Sequence, residues 1–270
     1  MNVPRTLLCV HAHPDDEALF TAGITAHYGA MGYNVVLVTC TNGRLGFDPE
    51  RRAGNVEGHD DGATSATRAG ELQRAAAYAG FTRSIRLGYL DSGMAGWRQN
   101  EERGSFANAD VERVAATVAS LIDEVNAAVV VTYDENGFYG HPDHIQANVV
   151  TRRALQLSSR AQRLYYPVVP RGVLTRFKND ASTQGVALPE WILDAALDTD
   201  DESVSTTMDV SKYARQKQMA IAAHESQIDN LNLVTMDEKL FTLLFGTEYY
   251  QRAWSRDEAY GDETDLFGGM

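Results

Sequence analysis

The chain has 270 residues, 44% of them hydrophobic, which is enough to fill the core of one large domain. Its formal net charge of -13 at pH 7 argues against nucleic acid or an anionic membrane as a partner, because phosphate contacts need clustered Lys and Arg. The short apolar run after Arg5 leads directly into polar residues, so we expect no signal peptide, no membrane span and a cytoplasmic protein.

Four strand-then-helix units are predicted along the first part of the chain. Short apolar runs typical of buried strands occur at 6–10, 34–40, 84–90 and 127–133. Helical patterns follow these runs, at 17–31, at 63–80, at 110–126 with Asp110 or Asn108 as its cap, and after His141. This alternation predicts an α/β fold with a Rossmann-like, mostly parallel sheet flanked by helices.

The pattern weakens beyond about residue 160. One more strand is predicted at 163–170, and a helix at 209–226 that begins at Asp209 or Ser211. Because no linker or internal repeat is present, we expect a single domain over 1–270. It is divided into a Rossmann-like catalytic core (1–160) and a smaller C-terminal elaboration (161–270).

Two long loops interrupt the alternation, at 41–64 and 91–109. Loops of this length in a compact α/β domain are usually functional. Both follow the carboxyl end of a predicted strand, which is the edge where open α/β sheets bind ligands. We therefore expect both loops to border a ligand pocket.

Two short polar segments, "HAHPDDE" (11–17) and "YGHPDH" (139–144), hold four of the seven histidines. Both follow predicted parallel strands, so they can converge at one edge of the sheet. Two histidines and a carboxylate with an open fourth position are how catalytic zinc is held, and such a set also suits Fe²⁺ or Co²⁺. We predict a zinc site here, with Asp15 beside it as a base for a metal-bound water. Two such segments at one edge argue against the alternative, a set of helix caps and ion pairs.

These segments, together with "VTCTNG", "RAGEL" and "DSGMAG", resemble the PIG-L/LmbE-like zinc deacetylase family over about the first 155 residues. Within the family the chain is similar to the mycothiol-pathway branch, which contains deacetylases and conjugate amidases. The resemblance implies a hydrolase that uses a metal-bound water to remove the N-acetyl group from a small N-acetylglucosamine-type sugar.

The resemblance also implies roles for particular residues. His13, Asp16 and His144 would be the metal ligands, and Asp15 the general base.

Around the scissile amide, the resemblance implies that Tyr139 and His141 flank the carbonyl and that Asp143 orients a histidine. Because a neighbouring carboxylate favours the protonated imidazole, we expect Asp143 to keep His141 charged and Tyr139 to polarise the carbonyl. His141 would then protonate the leaving amine.

The resemblance further implies that the sugar is contacted by Arg68, Asp91 and Met94, although Arg68 could instead pair on its own helix. We expect His11 to fill a position in the core or behind the metal ligands. His224 could reach the site or lie at the surface, and the sequence leaves both open.

Three alternatives remain beside the sugar deacetylase. An amidase acting on mycothiol-type thiol conjugates and a tailoring deacetylase acting on a sugar-bearing natural product keep the same chemistry. A binding module without catalysis lacks support, because no G-x-G-x-x-G follows the first strand. Two departures favour the deacetylase over the amidase: Arg44 stands where relatives carry an acidic residue, and the lysine of the amidase branch is missing around Leu19 and Phe20.

Overall fold

The computed structural model describes residues 5–188, 198–256 and 264–270. Within these ranges, each helix is too short or too polar to cross a membrane.

The described strands form one sheet. They are β1 (Thr6–His11), β2 (Asn34–Thr41), β3 (Arg83–Tyr89), β4 (Val129–Val131), β5 (Arg163–Pro170), β6 (Asp198–Thr199), β7 (Thr206–Asp209) and β8 (Thr247–Ser255). Their order is β3-β2-β1-β4-β5-β8-β7, and β6 pairs beside β5. Strands β1 to β5 are parallel, whereas β8 runs antiparallel to β5 and β7 antiparallel to β8. The mostly parallel sheet predicted from the sequence is confirmed, and the C-terminal strands extend it.

Helices connect these strands. They are α1 (Ala22–Ala30), α2 (Asp61–Tyr78), α3 (Val111–Glu124), the irregular turn α4 (Gly137–Gly140), α5 (Pro142–Leu157), α6 (Arg171–Thr183), α7 (Ala214–Ala222), α8 (Leu231–Val234) and α9 (Glu238–Phe245). Asp110, one of the two predicted caps of α3, accepts a hydrogen bond from the Arg113 backbone N–H.

Alternate residues of the central strands enter two apolar clusters, one on each face of the sheet. Leu8 and Val10 of β1 belong to one cluster, and Leu7 and Cys9 to the other. Strands buried on both faces read as continuous apolar runs, which is why they could be recognised in the sequence. Cys9 and Cys40 are both buried free thiols.

Two predicted helices differ from the structure at their ends. The segment predicted as a helix at 17–31 begins with one π-helical turn, Glu17–Thr21, before α1. In that turn the Thr21 hydroxyl donates to the Glu17 carbonyl. The helix predicted at 209–226 is shorter: a 3-10 turn at Ser211–Tyr213 precedes α7, and the chain leaves the helix after Ala222.

A buried glutamate of β8, Glu248, joins the C-terminal part of the sheet to α7 and to α1. Lys217 of α7 contacts Glu248 of β8 at 2.6 Å, and both side chains are buried. The Glu248 carboxylate also accepts the backbone N–H groups of Gly23 and Ile24, at 2.9 Å each. These N–H groups lie in the first turn of α1, where a helix has no internal partners for them and favours negative charge.

Candidate metal centre and active site

The site lies where the direction of strand addition reverses. From β1 the chain adds β2 and β3 on one side, and β4 then pairs on the other side of β1 with Cys9 opposite Val131. The carboxyl ends of β1 and β4 therefore lie side by side at a topological switch point, the usual ligand site of such sheets. The two histidine-rich segments leave these two strand ends and converge.

Three residues bring potential ligand atoms close together. His13 Nδ1 is 3.2 Å from His144 Nε2 and 3.3 Å from Asp16 Oδ2, and His144 Nε2 is 3.4 Å from Asp16 Oδ1. Metal–ligand bonds of about 2.0–2.1 Å in tetrahedral geometry place neighbouring ligand atoms about 3.3–3.4 Å apart. The spacing of these three residues therefore fits a divalent metal ion.

Tyr133, two residues after the end of β4, supports two of these residues. Its hydroxyl donates to Asp16 Oδ2 at 2.6 Å, and its ring stacks on His144 with centroids 4.0 Å apart. His144 Nδ1 lies 3.1 Å from the Gly137 carbonyl, so this nitrogen carries the proton and Nε2 is left with a lone pair. Sequence reasoning missed Tyr133, although a polar aromatic residue at the carboxyl end of a buried strand was a usable signal.

The Asp143 carboxylate faces His13. Its Oδ2 lies 3.1 Å from His13 Nε2 and accepts the Ser92 backbone N–H at 2.9 Å, while its Oδ1 accepts the Ser92 hydroxyl at 2.5 Å. A carboxylate on the outer nitrogen of a histidine fixes the ring and directs its other nitrogen toward a metal. Sequence reasoning also missed Ser92, which comes from the loop after β3.

The expected pairing of His141 with the Asp143 carboxylate is wrong. His141 caps α5, and its Nδ1 accepts the Asp143 backbone N–H at 3.1 Å. Burial, together with the neighbouring His13 and His144, holds the pKa of His141 well below its usual value. The ring is therefore neutral, and the hydrogen-bond pattern assigns its proton to Nε2.

His141 also belongs to two wider groups of potential metal ligands among the described residues. Its ligand nitrogen lies within 4.8 Å of those of His13 and His144, and it groups with His13, Asp91 and Asp143 in the same way. The carboxylates of that second group already accept backbone N–H groups. Asp16 Oδ2 likewise accepts the His13 N–H, at 2.7 Å, so it is the shorter spacing of His13, Asp16 and His144 that favours these three residues as the ligands.

Tyr139 lines the cavity beside these rings, with its ring centroid 5.0 Å from that of His144. It lies in the irregular turn α4, where Phe138 has a positive φ of 66° between two glycines that also have positive φ. Burial raises the pKa of Tyr139 far above its usual value, so the phenol stays protonated. It is available as a hydrogen-bond donor.

Asp15 has a strained backbone and a shifted pKa. Its φ is 124°, and such a conformation costs a non-glycine residue of the order of 1–3 kcal/mol. Its Oδ1 lies 2.9 Å from Arg68 Nη2, and its backbone N–H donates to Glu17 at 3.0 Å. Burial raises the pKa of Asp15 to about 6, partly offset by the charge of Arg68. A carboxylate with this pKa suits a general base near neutral pH.

The three residues predicted to contact the sugar all line the cavity, but two are already engaged by the protein. The Arg68 guanidinium donates to the carbonyls of Gly43, at 2.7 Å, and Pro14 in addition to its contact with Asp15. The Asp91 carboxylate accepts the N–H groups of Gly93 and Leu45. The Met94 side chain is 38% exposed. Contact of these residues with a sugar stays a prediction.

The cavity has a volume of about 1070 Å³. Both long loops border it, as expected: Leu45 and Phe47 come from the first loop, and Trp97 from the second. Arg44 joins the loops, because its guanidinium lies 3.1 Å from Asp61 and also contacts Glu102. Aromatic and apolar side chains thus face the metal centre from the loop side.

The segment after α7 also borders the cavity, through Gln227 and Ile228, and the residues just before them are held by α2 and by the turn that precedes α1. His224 Nε2 contacts Glu17 Oε1 at 2.7 Å, and both side chains are buried, so His224 is not a surface residue. The Ser226 N–H and hydroxyl both donate to Glu71 of α2 at 2.8 Å. His11 is also buried, as expected, with its ring nitrogens 2.9 Å from Thr21 and 3.3 Å from Tyr133, whose hydroxyl donates to Asp16.

A family model described as PIG-L, GlcNAc-PI de-N-acetylase, matches residues 8–155, more than half of the chain. The chain belongs to the PIG-L family. A 1D-myo-inositol 2-acetamido-2-deoxy-alpha-D-glucopyranoside deacetylase from Salinispora arenicola is 37% identical over 98% of this chain and 92% of its own length. The family predicted from the two histidine-rich segments is therefore confirmed, and the relative's name agrees with the predicted activity.

Solved structures of this fold carry different activities. The 4-carboxy-2-hydroxymuconate hydratase GalB from Pseudomonas putida has a TM-score of 0.63 at 16% identity, and the match covers 95% of this chain and 99% of GalB. The N,N'-diacetylchitobiose deacetylase from Pyrococcus horikoshii has a TM-score of 0.57 at 17% identity, and the match covers 92% of this chain and 83% of the deacetylase. At these identities the likeness shows the shared fold alone, so activity must be argued from the site.

Proposed function

We propose that this PIG-L protein is a zinc-dependent N-deacetylase of a small acetamido sugar, most simply 1D-myo-inositol 2-acetamido-2-deoxy-alpha-D-glucopyranoside. The observation that carries the proposal is the close approach of His13, Asp16 and His144 beside Asp15, where His13, Asp15 and Asp16 line a large cavity. The names of the full-length relatives support the substrate and favour deacetylation over the amidase alternative.

His13, Asp16 and His144 would hold the divalent ion. When bound, the ion supplies the positive charge that polarises an acetamide carbonyl and lowers the pKa of a water. A set of two imidazoles and one carboxylate suits zinc, and Fe²⁺ or Co²⁺ would also be accepted.

Asp15 would move the proton. Its carboxylate accepts a proton from the attacking water, and with a pKa of about 6 its acid form can return that proton to the leaving amine nitrogen. A separate imidazolium acid is then unnecessary, which agrees with the neutral state of His141.

Tyr139 and His141 would stabilise the oxyanion. The Tyr139 phenol and the His141 Nε2–H both keep their protons at neutral pH and border the same cavity. Fixed donors aimed at developing negative charge are worth about 10²–10³-fold in kcat for each donor. Asp143 and Ser92 would keep the His13 ring oriented.

A substrate panel tests this function. The zinc-loaded protein is assayed for free amine released from the inositol-linked acetamido sugar, from N-acetylglucosamine and from an S-conjugate of mycothiol. We expect the highest kcat/KM with the inositol-linked sugar and no cleavage of the conjugate amide. Preferential cleavage of the conjugate would make the protein an amidase, and no amine from any acetamido sugar would contradict the proposal.

A further inference from the structure

Asp15 is connected to the C-terminal part of the chain through one carboxylate. Glu17 Oε2 accepts the Asp15 backbone N–H at 3.0 Å, and Glu17 Oε1 lies 2.7 Å from His224 Nε2. The Glu17 side chain has no solvent exposure, and that of His224 is 1% exposed. The two oxygens of Glu17 therefore serve one partner each, in an environment closed to water.

This connection acts on a backbone that would otherwise relax. The φ of 124° at Asp15 is unfavourable for a residue with a Cβ, so the surrounding contacts must hold it. Arg68 holds the Asp15 carboxylate and the Pro14 carbonyl, and the Asp15 carbonyl accepts the Ala18 and Leu19 N–H groups at 3.0 and 3.1 Å. Among the hydrogen bonds of the described residues, the Asp15 N–H itself is held by Glu17. If Glu17 turned away, the Asp15 N–H would lose its partner and one restraint on the strained φ would be lost, so the carboxylate would shift relative to the metal ligands.

His224 is itself rigidly placed. Its backbone N–H donates to the Ile221 carbonyl at 3.1 Å, which continues the last turn of α7. Two residues later, Ser226 is fixed to Glu71 by two hydrogen bonds. Burial alone would lower the pKa of His224, but the adjacent Glu17 carboxylate raises it above its usual value, and Nε2 is the ring nitrogen that meets this carboxylate.

We propose that His224 is a positioning residue for the general base: by fixing Glu17, it holds the strained Asp15 backbone in its working conformation. The inference rests on the role of Asp15 in the proposed function. The catalytic core would then depend on the C-terminal elaboration for the geometry of its base.

The first test compares His224→Ala and His224→Gln with a matched control, Gln218→Ala. Gln218 is a buried residue of α7, the helix that precedes His224, and its side chain forms hydrogen bonds with Arg215 and with the Val234 and Met236 carbonyls. Steady-state kinetics, metal content and thermal unfolding are measured for each variant.

We expect His224→Ala to lower kcat about 10- to 100-fold, since a displacement of about 1 Å at a catalytic group costs up to about 10²-fold. KM should change less than about threefold, and metal content should stay at the wild-type level. His224→Gln keeps a donor for Glu17 and should recover most of the rate. Gln218→Ala should lower Tm without lowering kcat. Equal losses of kcat in His224→Ala and Gln218→Ala would overturn the proposal, as would a loss that follows loss of metal.

A double-mutant cycle then asks whether His224 acts through Asp15. Residues that act as a unit show strongly non-additive effects on rate. In an Asp15→Asn background, adding His224→Ala should slow the enzyme less than about threefold. A full additional loss would overturn the inference. If Asp15→Asn lowers kcat but His224→Ala does not, this inference alone is overturned. If Asp15→Asn leaves kcat unchanged, the proposed role of Asp15 as the base is overturned as well.

Discussion

Replacing Asp15 by asparagine should lower kcat by about 10²–10⁴-fold, the usual contribution of a general acid–base group. Asparagine has nearly the same shape and keeps an oxygen that Arg68 can bind, 2.9 Å from Oδ1 in the wild type. Because Asp15 is outside the ligand set, we expect metal content and Tm to change little. The measurement is kcat for amine release, with metal content determined on the same preparation.

The pH profile tests the same assignment independently. A base must be deprotonated to act, so kcat/KM should rise with pH through the Asp15 pKa of about 6. Asp15→Asn should lose this acid limb. His141→Ala should keep the acid limb and lower kcat/KM by a similar factor at all pH values, because His141 is neutral across the range. An acid limb that persists in Asp15→Asn, or a rate loss below tenfold, would assign the base to another group.

Replacing His144 by alanine should remove most of the bound metal and nearly all activity. His144 is fully buried, stacks on Tyr133 and points Nε2 at His13 and Asp16, so the alanine variant keeps only two of the three proposed ligands. We expect metal content, measured by elemental analysis, to fall from about one ion per chain in the wild type to a small fraction of that.

His11→Gln is the control for this variant. His11 is a buried histidine two residues before His13, but its ring nitrogens contact Thr21 and Tyr133 instead of the ligand set. It should therefore keep the metal. Full metal occupancy in His144→Ala, or complete metal loss in His11→Gln, would show that the ligands are assigned to the wrong histidines.

The sheet and the place of the site could be predicted because they depend on local patterns. Strands such as β1 and β2 are apolar on both faces, and strand–helix alternation fixes parallel neighbours. The polar segments that follow β1 and β4 then meet at the switch point whatever the details of packing.

The hydrogen bonds between distant segments could not be predicted. Whether Asp143 faces His13 or His141 depends on Ser92, which lies 51 positions earlier and contributes both a hydroxyl and a backbone N–H. The side chain of His141 is instead used to cap α5, and this capping directs the carboxylate away from it. Sequence spacing places these residues near one another but does not say which atoms pair.

The role of the turn after α7 escaped prediction for a related reason. The helical pattern at 209–226 continued through His224, whereas the chain leaves the helix at Ala222. Contacts of that turn with Glu17 and Glu71 replace the helical hydrogen bonds. Tertiary contacts of this kind override local helix propensity.

We propose that His13, Asp16 and His144 hold one metal ion on which amide hydrolysis depends. The most direct measurement is a titration of chelator-treated protein with Zn²⁺, following amine release from the inositol-linked acetamido sugar at each addition. We predict negligible activity without metal and a linear recovery that ends at about one equivalent per chain. Full activity in the metal-free protein, or no recovery at one equivalent, would contradict the account.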